Sequence, residues 1–517
     1  MTETEHPGGQ DGLVNVHLRM RTFETDLRLP AGAEILRARE PEALEDVAAA
    51  VRGALAAPIG AAPLADICRE VLGRRVSGAG AAQAAAPPAS EPRTLRPSVA
   101  VVVSDNTRPV PYRGEGGILW PLVGQLLEAG FEAGSITIVV ATGTHRLLSD
   151  EEIWAFLDER VREAGVGVHC HDASDLAKLT RVGRTSGGSD VSMNRRYVEA
   201  DLRILTGLVE PHLMAGVSGG RKSICPGLVD VQSVRDFHGP GTVAHEKATD
   251  LVLDGNPCHA VSLEIGRMVP PDFIVNVTMR QDRRVAGVFA GDMEKAHLAA
   301  VDHLLGFIQI PIEREFDVVV AHAGHVGVNH YQAEKAAAVA AKAARPGGYL
   351  VVVADTTDPD PVGTASYRHL MRFLAEVGPE AFVEAIQADD WGFVHDQWGA
   401  QTWTKVLDKI PREHIFYFSP QTAPDDYPLL VCADPPGLSG PGLERGSASG
   451  KGETGEGAPS EAADTGTGHS AGERVARFVE AAIARACEES LSATGRPATV
   501  AYLADGPHGI PARSRRA

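Results

Sequence analysis

Reactive residue types are concentrated in one segment of the chain, GLVEPHLMAGVSGGRKSICPG at residues 207–227. Its Gly-rich part ends at Lys222, and His212 and His238 lie on either side of that lysine in sequence. A lysine in such a loop can contact a phosphate or, when desolvated, act as a nucleophilic amine. Two histidines near one lysine are suited to metal binding or to acid–base chemistry, and their spacing does not choose between the two.

The Gly-rich part of this segment also has the composition of an anion-binding loop, because backbone amides of Ser218, Gly219 and Gly220 can surround a negative group. In the Walker pattern a lysine directly follows the last glycine, whereas Arg221 separates Gly220 from Lys222 here. A standard nucleoside triphosphate site is therefore disfavoured. A kinase that uses Gly216–Ser223 as its phosphate loop is the weakest interpretation of the segment.

Two further polar stretches follow predicted strands. SDNTRPVPYR at 104–113 contains Arg108, whose guanidinium is suited to bidentate capture of a carboxylate or phosphate. ATGTHR at 141–146 places His145 at the tip of a strand, where a group that titrates near neutral pH can serve as an acid or base. The alternatives are a surface ion pair for the arginine and a structural role for the histidine.

A fourth stretch, GVNHYQAEKA at 327–336, reads as a loop that enters a helix. Gln332 and Lys335 are three residues apart, so they share a helix face and can bind one anionic ligand, although a solvated face is the alternative. Trp398 in DQWGAQ is a candidate wall of an apolar pocket, with core packing as its default role.

The elements that must position these residues are buried strands alternating with helices. Continuous rather than alternating apolar strands predict a parallel sheet covered on both faces, with sites in the loops beyond its carboxyl edge. A single helix is predicted from about Ser149 to Ala164. The strand-like runs are SVAVVVSD (98–105), SITIVVATG (135–143), ADLRILTG (200–207), FIVNVTM (273–279), VAGVFAG (285–291), FDVVVAHA (316–323) and GYLVVVADT (348–356).

The predicted fold class is α/β, with two α/β domains, largely parallel sheets and a cofactor or substrate cleft between them. The first, cofactor-binding domain is expected at 1–270, with an Ala/Pro linker-like insert at 78–97, and the second at 271–435. Residues 436–473 are Gly, Ser, Glu and Thr in low-complexity order, which predicts a disordered insertion. Residues 474–517 are expected to add a helix and a strand that complete the fold.

Composition narrows the class of protein. The 517 residues include 49 Lys plus Arg against 68 Asp plus Glu, a net charge of −19 that argues against nucleic-acid and anionic-membrane partners. Six scattered cysteines, strand-sized apolar runs and the absence of a signal-peptide pattern predict a cytoplasmic protein with reduced thiols. Composition alone leaves an enzyme and a small-molecule binder equally open.

Taken together, the motifs resemble one family. GLVEPHLMAGVSGGRKSICPG, with a histidine sixteen residues after its lysine, is similar to the signature of the nickel-dependent lactate racemases. DNTRP, ATGTHR, NHYQAEKA and DQWGAQ occur in that family's order and at roughly its spacing. The resemblance covers most of residues 13–435 and resumes at 473–511, and the inserts at 78–97 and 436–473 avoid every motif.

The resemblance implies a two-domain α/β enzyme that holds a nickel-pincer nucleotide, a pyridinium mononucleotide whose nickel is bound through sulfur and a ring carbon. Lys222 resembles the lysine that forms a thioamide with this cofactor, and His238 resembles the protein ligand to nickel. His145 and His212 resemble the two acid–base histidines. Arg108, Gln332 and Lys335 match substrate-binding positions, with Tyr331 and Trp398 near the pocket, and Asp105, Thr107, Ser218, Gly219 and Gly220 are expected to help hold the cofactor.

The implied activity is a racemase or epimerase of 2-hydroxy acids. Hydride leaves the α-carbon for the cofactor while one histidine removes the hydroxyl proton, and its return to the other face of a flat 2-keto acid inverts the centre. Lactate-type members carry aromatic residues just after the EPH histidine, where this chain has Leu213 and Met214. Lactate, a larger 2-hydroxy acid and a sugar acid are therefore all open as substrates. The resemblance also implies cofactor-synthesis enzymes as partners, and the alternative function is a non-catalytic nickel-pincer nucleotide carrier or sensor.

Overall fold

The computed structural model describes residues 5–6, 13–76, 96–388, 390–433 and 469–513. The linker-like insert predicted at 78–97 lies outside the described residues up to position 95. The insertion predicted at 436–473 lies outside them up to position 468.

Contacts divide the chain into two compact units. The central unit is Glu40–Phe307, and the terminal unit combines Met1–Arg39 with Ile308–Ala517. This division differs from the boundary predicted at residue 270. The strand Phe273–Met279 pairs with Leu202–Leu208 and so belongs to the central sheet, whereas Glu34–Leu36 pairs with Val500–Leu503 in the terminal unit.

The central unit is built on a six-stranded sheet whose strands are parallel except for one edge strand. Val99–Val103 is a continuous run of buried residues, as expected for a strand with helices on both faces. At one edge of the sheet Phe273–Met279 and Val285–Gly291 form an antiparallel pair. In spatial order the strands are Val285–Gly291, Phe273–Met279, Leu202–Leu208, Val99–Ser104, Ile136–Ala141 and Gly167–Cys170.

Helices pack against this sheet through their apolar stripes. In Leu119–Glu128 the side chains of Leu119, Leu122, Val123 and Leu126 are buried, which is the spacing of one helix face. The single helix predicted from Ser149 to Ala164 is instead two short helices, Asp150–Phe156 and Glu159–Glu163. The side chain of Asp158 accepts a hydrogen bond from the amide of Arg160 and so caps the start of the second helix. The remaining helices are Val47–Ala56, Leu64–Val76, Arg195–Glu199, Val231–Phe237, Pro240–Ala244, Pro257–Met268 and Lys295–Ile308.

The terminal unit has a five-stranded sheet in which every neighbouring pair is parallel. An antiparallel hairpin, Val14–Arg19 with Glu24–Leu29, packs its buried side chains into the same core. In spatial order the strands are Ile415–Phe418, Ala344–Val353, Phe316–His322, Val500–Leu503 and Glu34–Leu36. The predicted α/β class with largely parallel sheets is thereby confirmed.

The terminal unit contains the helix His330–Ala343, on which the GVNHYQAEKA motif lies. The last helix begins at Ala471, with a capping box between Ser470 and Glu473, so the final residues of the insertion predicted at 436–473 belong to an ordered helix start. Among the described helices none is long and apolar enough to cross a membrane. The helices are His330–Ala343, Ala365–Val377, Pro379–Gln387, Gln397–Leu407 and Ala471–Thr494.

Candidate active site

A cavity lies in the central unit where three neighbouring parallel strands end. The strands are Leu202–Leu208, Val99–Ser104 and Ile136–Ala141, and the loops that follow each of them supply the cavity wall. This is the edge at which parallel sheets form binding sites. The predicted site residues that line the cavity are Asp105, Thr107, Arg108, His145, Ser218, Gly219, Lys222 and His238.

His145 and Asp105 form a hydrogen-bonded pair in the cavity. Nδ1 of His145 lies 2.6 Å from Oδ2 of Asp105, and the hydroxyl of Thr107 donates to the other carboxylate oxygen at 2.6 Å. Burial by itself raises the pKa of Asp105, but the hydrogen bonds from His145 and Thr107 outweigh it and bring that pKa below its ordinary value. Because a carboxylate only accepts hydrogen bonds, Nδ1 of His145 carries a proton, and in the neutral ring the lone pair is then on Nε2.

Arg108 is held by a carboxylate that the sequence interpretation missed. Its Nη1 donates to Oε1 of Glu210 at 2.5 Å, and both side chains are partly exposed. Glu210 follows the neighbouring strand, and its backbone is tied to Ser218 through three hydrogen bonds. A guanidinium has five donor hydrogens, so this pair fixes the side chain of Arg108 and leaves donors for a second anion.

Lys222 lies in the cavity wall with its Nζ 4.6 Å from the ring centre of Phe237. Burial, together with the positive charges of Arg108 and Arg221, holds the pKa of Lys222 well below its ordinary value. Within the described residues no carboxylate forms an ion pair with it. A lowered pKa increases the share of the unprotonated amine, which is the nucleophilic form.

His238 has the arrangement expected of a metal ligand. Its Nδ1 donates to the carbonyl of Val234 at 3.1 Å, which leaves the lone pair on Nε2. Burial and the charge of Lys222 lower the pKa of His238 to about 3, so the ring is neutral. Across the described ranges no group of three or more His, Cys, Asp or Glu side chains could hold a metal ion.

The Gly-rich loop has a conformation that only glycine tolerates at Gly219. Its φ is +75°, and a Cβ atom there would lie 2.7 Å from Cγ2 of Val209. The next amide, that of Gly220, donates to Oδ1 of Asn276 at 2.9 Å. Gly220 is absent from the cavity wall, so of the three predicted loop residues Ser218 and Gly219 reach it and Gly220 does not.

His212 lies on the same segment as Glu210, in a two-residue ladder with Gly216–Val217. Its Nδ1 accepts the amide hydrogens of Met214 at 3.3 Å and Ala215 at 3.1 Å. His212 does not line the cavity described above. These two amides of its own loop orient the ring.

A second group of predicted site residues lies in the terminal unit at the start of His330–Ala343. The side chain of Asn329 caps this helix by accepting from the amide of Gln332 at 2.9 Å. Nζ of Lys335 donates to Oε1 of Gln332 at 2.6 Å, as their three-residue spacing predicts. The cap and this bond fix both side chains on one face of the first turns.

Tyr331, in the first turn of the same helix, contacts an aromatic residue of the helix Gln397–Leu407. Nε1 of Trp398 donates to the hydroxyl of Tyr331 at 2.5 Å. A side chain at Gly399 would collide with the ring of Tyr331. Glu334, which the sequence interpretation missed, is buried here, and burial raises its pKa well above the usual value, with Lys335 opposing the shift and Asp396 adding to it.

The residues that the sequence interpretation missed differ in how strongly the sequence pattern indicates a functional role. Glu210 lies in the EPH motif and could have been proposed as the partner of Arg108. Asn276 is one polar residue inside the buried strand Phe273–Met279, a pattern that indicates a buried hydrogen-bonding role but not its partner. Glu334 carried no such signal, since glutamate on a helix is ordinarily exposed.

Comparison with known proteins identifies relatives of this chain. Residues 82–250 match the model of the lactate racemase N-terminal domain. The lactate racemase of Lactiplantibacillus plantarum is 30% identical over 332 residues, which cover 63% of this chain and 75% of that protein. The lactate racemase of Thermoanaerobacterium thermosaccharolyticum is 29% identical over 314 residues, covering 60% and 71%.

Solved structures show the same fold. The lactate racemase apoprotein from Thermoanaerobacterium thermosaccharolyticum aligns with 97% of this chain and all of its own length, with a TM-score of 0.73 at 21% identity. A Thermotoga maritima protein aligns with 88% of this chain and all of its own, with a TM-score of 0.51 at 14% identity. By its sequence matches, the chain belongs to the lactate racemase family and is an enzyme of the racemase class.

Proposed function

We propose that the protein racemises or epimerises 2-hydroxy acids with a nickel-pincer nucleotide attached at Lys222. The observation that carries this proposal is the convergence of four groups on one cavity: a carboxylate-backed histidine, a cation, a lysine with a depressed pKa and a histidine whose Nδ1 is held by a backbone carbonyl. Their roles would fall to His145, Arg108, Lys222 and His238, respectively.

The residues present fit the cofactor. Lys222 offers an amine with a lowered pKa for covalent attachment, and His238 would offer one nitrogen ligand to a metal whose other ligands belong to the cofactor. Because residue 219 is a glycine, the backbone of this loop can lie at a position where a Cβ atom would collide with its neighbours. Asp105, Thr107 and Ser218 complete the polar wall. When bound, the nickel-pincer nucleotide supplies a hydride acceptor and donor for the α-carbon of the substrate.

The chain's own residues would bind the substrate and handle its hydroxyl proton. Arg108 would bind the substrate carboxylate, together with Gln332 and Lys335 from the terminal unit, so that the bound acid is held in the site. His145 and His212 would serve the oxygen on the α-carbon. Tyr331 and Trp398 would contact the rest of the substrate. Cofactor-synthesis enzymes would load the protein.

The test is racemisation by the loaded protein. After co-expression with cofactor-synthesis enzymes, intact mass and nickel analysis should show an adduct on Lys222 and bound nickel. One antipode of lactate, of a larger aliphatic or aromatic 2-hydroxy acid or of a sugar acid is then incubated in deuterated water. Inversion with retention of the α-hydrogen is expected, whereas complete exchange of that hydrogen with solvent contradicts hydride transfer.

A second function, a non-catalytic nickel-pincer nucleotide carrier or sensor, makes the opposite prediction. A carrier needs Lys222 and His238 but has no use for a carboxylate-backed histidine at the cavity. Replacing His145 or His212 with alanine would leave cofactor retention and release unchanged in a carrier. In a racemase the same changes abolish inversion while the adduct on Lys222 persists.

A further inference from the structure

The two histidines assigned to the substrate oxygen are hydrogen-bonded in opposite ways. Nδ1 of His145 faces Oδ2 of Asp105, a group that can only accept a hydrogen bond. Nδ1 of His212 faces the amides of Met214 and Ala215, groups that can only donate. The proton of the neutral ring is therefore on Nδ1 in His145 and on Nε2 in His212.

The surroundings make each arrangement hard to reverse. Asp105 is only 4% exposed, and its second oxygen is occupied by Thr107, so the carboxylate has a fixed orientation towards His145. Moving the proton of His212 to Nδ1 would set an N–H against two amide N–H groups and cost both hydrogen bonds. A protonated His212 ring would meet the same two donors, whereas a protonated His145 ring is paired with the carboxylate.

We propose that the histidines start the reaction in unequal roles: His145 accepts the substrate's hydroxyl proton at Nε2, and His212 donates an Nε2–H hydrogen bond to the substrate oxygen. In the proton transfer the substrate O–H bond breaks, its electron pair stays on oxygen and an N–H bond forms on His145. Asp105 is then a positioning residue, since it acts on the substrate only through His145. This proposal rests on the racemase function proposed above.

The ring protons can be read without cofactor or substrate. The apoprotein labelled with ¹⁵N-histidine is examined by long-range ¹H–¹⁵N correlation, and the signals of the two rings are identified by their loss in His145→Gln and His212→Gln. The expected result is a protonated Nδ1 in His145 and a protonated Nε2 in His212. The same tautomer in both rings, or the reverse assignment, overturns the proposal. If His212→Gln fails to fold, His212→Asn provides the identification.

Asp105→Asn tests the positioning role. An amide can donate to Nδ1 as well as accept from it, so the preference of His145 for its Nδ1–H form should fall at least about tenfold, with the His212 signals unchanged. In the loaded enzyme kcat should fall about 100-fold or more while KM changes by less than about threefold, because a buried carboxylate orients the catalytic histidine that it contacts. Asp105→Glu, which keeps the carboxylate, should restore part of the lost kcat. Asp172→Asn, which removes a carboxylate near the edge strand of the same sheet, is the matched control.

The outcomes separate this proposal from the function on which it rests. If the two histidines have opposite tautomers but the loaded protein racemises no 2-hydroxy acid, the proposed function is wrong, and so are the kinetic roles that depend on it. The assigned proton positions would remain correct. If the protein racemises a 2-hydroxy acid but the two histidines have the same tautomer, the proposed function stands and the unequal roles are wrong. The same conclusion follows if the kcat of Asp105→Asn equals that of the Asp172→Asn control.

Discussion

The two groups of candidate site residues rest on different supports. In the central unit each side chain comes from a separate loop after a strand, and a partner from another loop fixes it, as Asp105 fixes His145 and Glu210 fixes Arg108. In the terminal unit Gln332 and Lys335 share the first turns of one capped helix and contact each other. Fixed protonation and covalent attachment need the first kind of support, whereas binding a carboxylate needs only a cation held on a rigid element.

This comparison predicts that changes in the central unit lower turnover or abolish cofactor attachment, and that changes in the terminal unit raise KM. The largest effect is expected from Lys222→Ala. Without the amine no covalent adduct can form, so the intact-mass increase should vanish and activity should fall by at least about 10³-fold. Lys295→Ala, at an exposed lysine of the same unit, should leave mass and rate unchanged. An adduct that survives in Lys222→Ala would place the attachment elsewhere.

His145→Gln is expected to have the next largest effect. It removes the imidazole nitrogen assigned to the hydroxyl proton while keeping a polar side chain, so kcat should fall by about 10² to 10⁴-fold, the usual contribution of a general base. The adduct on Lys222 and the nickel content should match those of the unmodified protein. His169→Gln, on the strand Gly167–Cys170, serves as control. A kcat equal to that of the control would contradict the comparison.

Lys335→Met should act on binding rather than on turnover. A charge-assisted hydrogen bond contributes about 1.5–3 kcal/mol, which predicts a rise in KM of roughly 10 to 150-fold. Because Lys335 has no assigned part in proton transfer, kcat should change by less than about threefold. Initial rates over a range of substrate concentrations separate the two constants, and Lys342→Met, in the last turn of the same helix, is the control. A fall in kcat at unchanged KM would contradict the prediction that changes in the terminal unit affect binding and changes in the central unit affect turnover.

The smallest effect is expected from Trp398→Phe. It removes one neutral hydrogen bond, to the hydroxyl of Tyr331, and keeps the aromatic wall. Such a bond contributes about 0.5–1.5 kcal/mol, so kcat/KM should fall by roughly 2 to 13-fold. Tyr331→Phe removes the same bond from the other side, and the double variant should be no worse than either single one. Additive losses in the double variant would mean that the two side chains act independently.

Much of the fold was predictable because it follows from local pattern. Val99–Ser104 and Ile136–Ala141 are continuous apolar runs, and such runs form strands of a covered parallel sheet whatever their neighbours are. The capping of Ala471–Thr494 is also a local feature, although its start was predicted two to three residues too late. The division of the chain was not local, since it depends on Glu34–Leu36 pairing with a strand more than 460 residues later.

By itself the sequence determined which reactive residue types are present, the order in which they follow the strands and the family to which they belong. Only the tertiary structure decided how they are paired. Glu210 reaches Arg108 because their strands are neighbours in the sheet, although 102 positions separate them in the chain. The different protonation of His145 and His212 depends likewise on which atoms face each Nδ1, and a hydrogen bond has a direction that residue type and spacing do not specify.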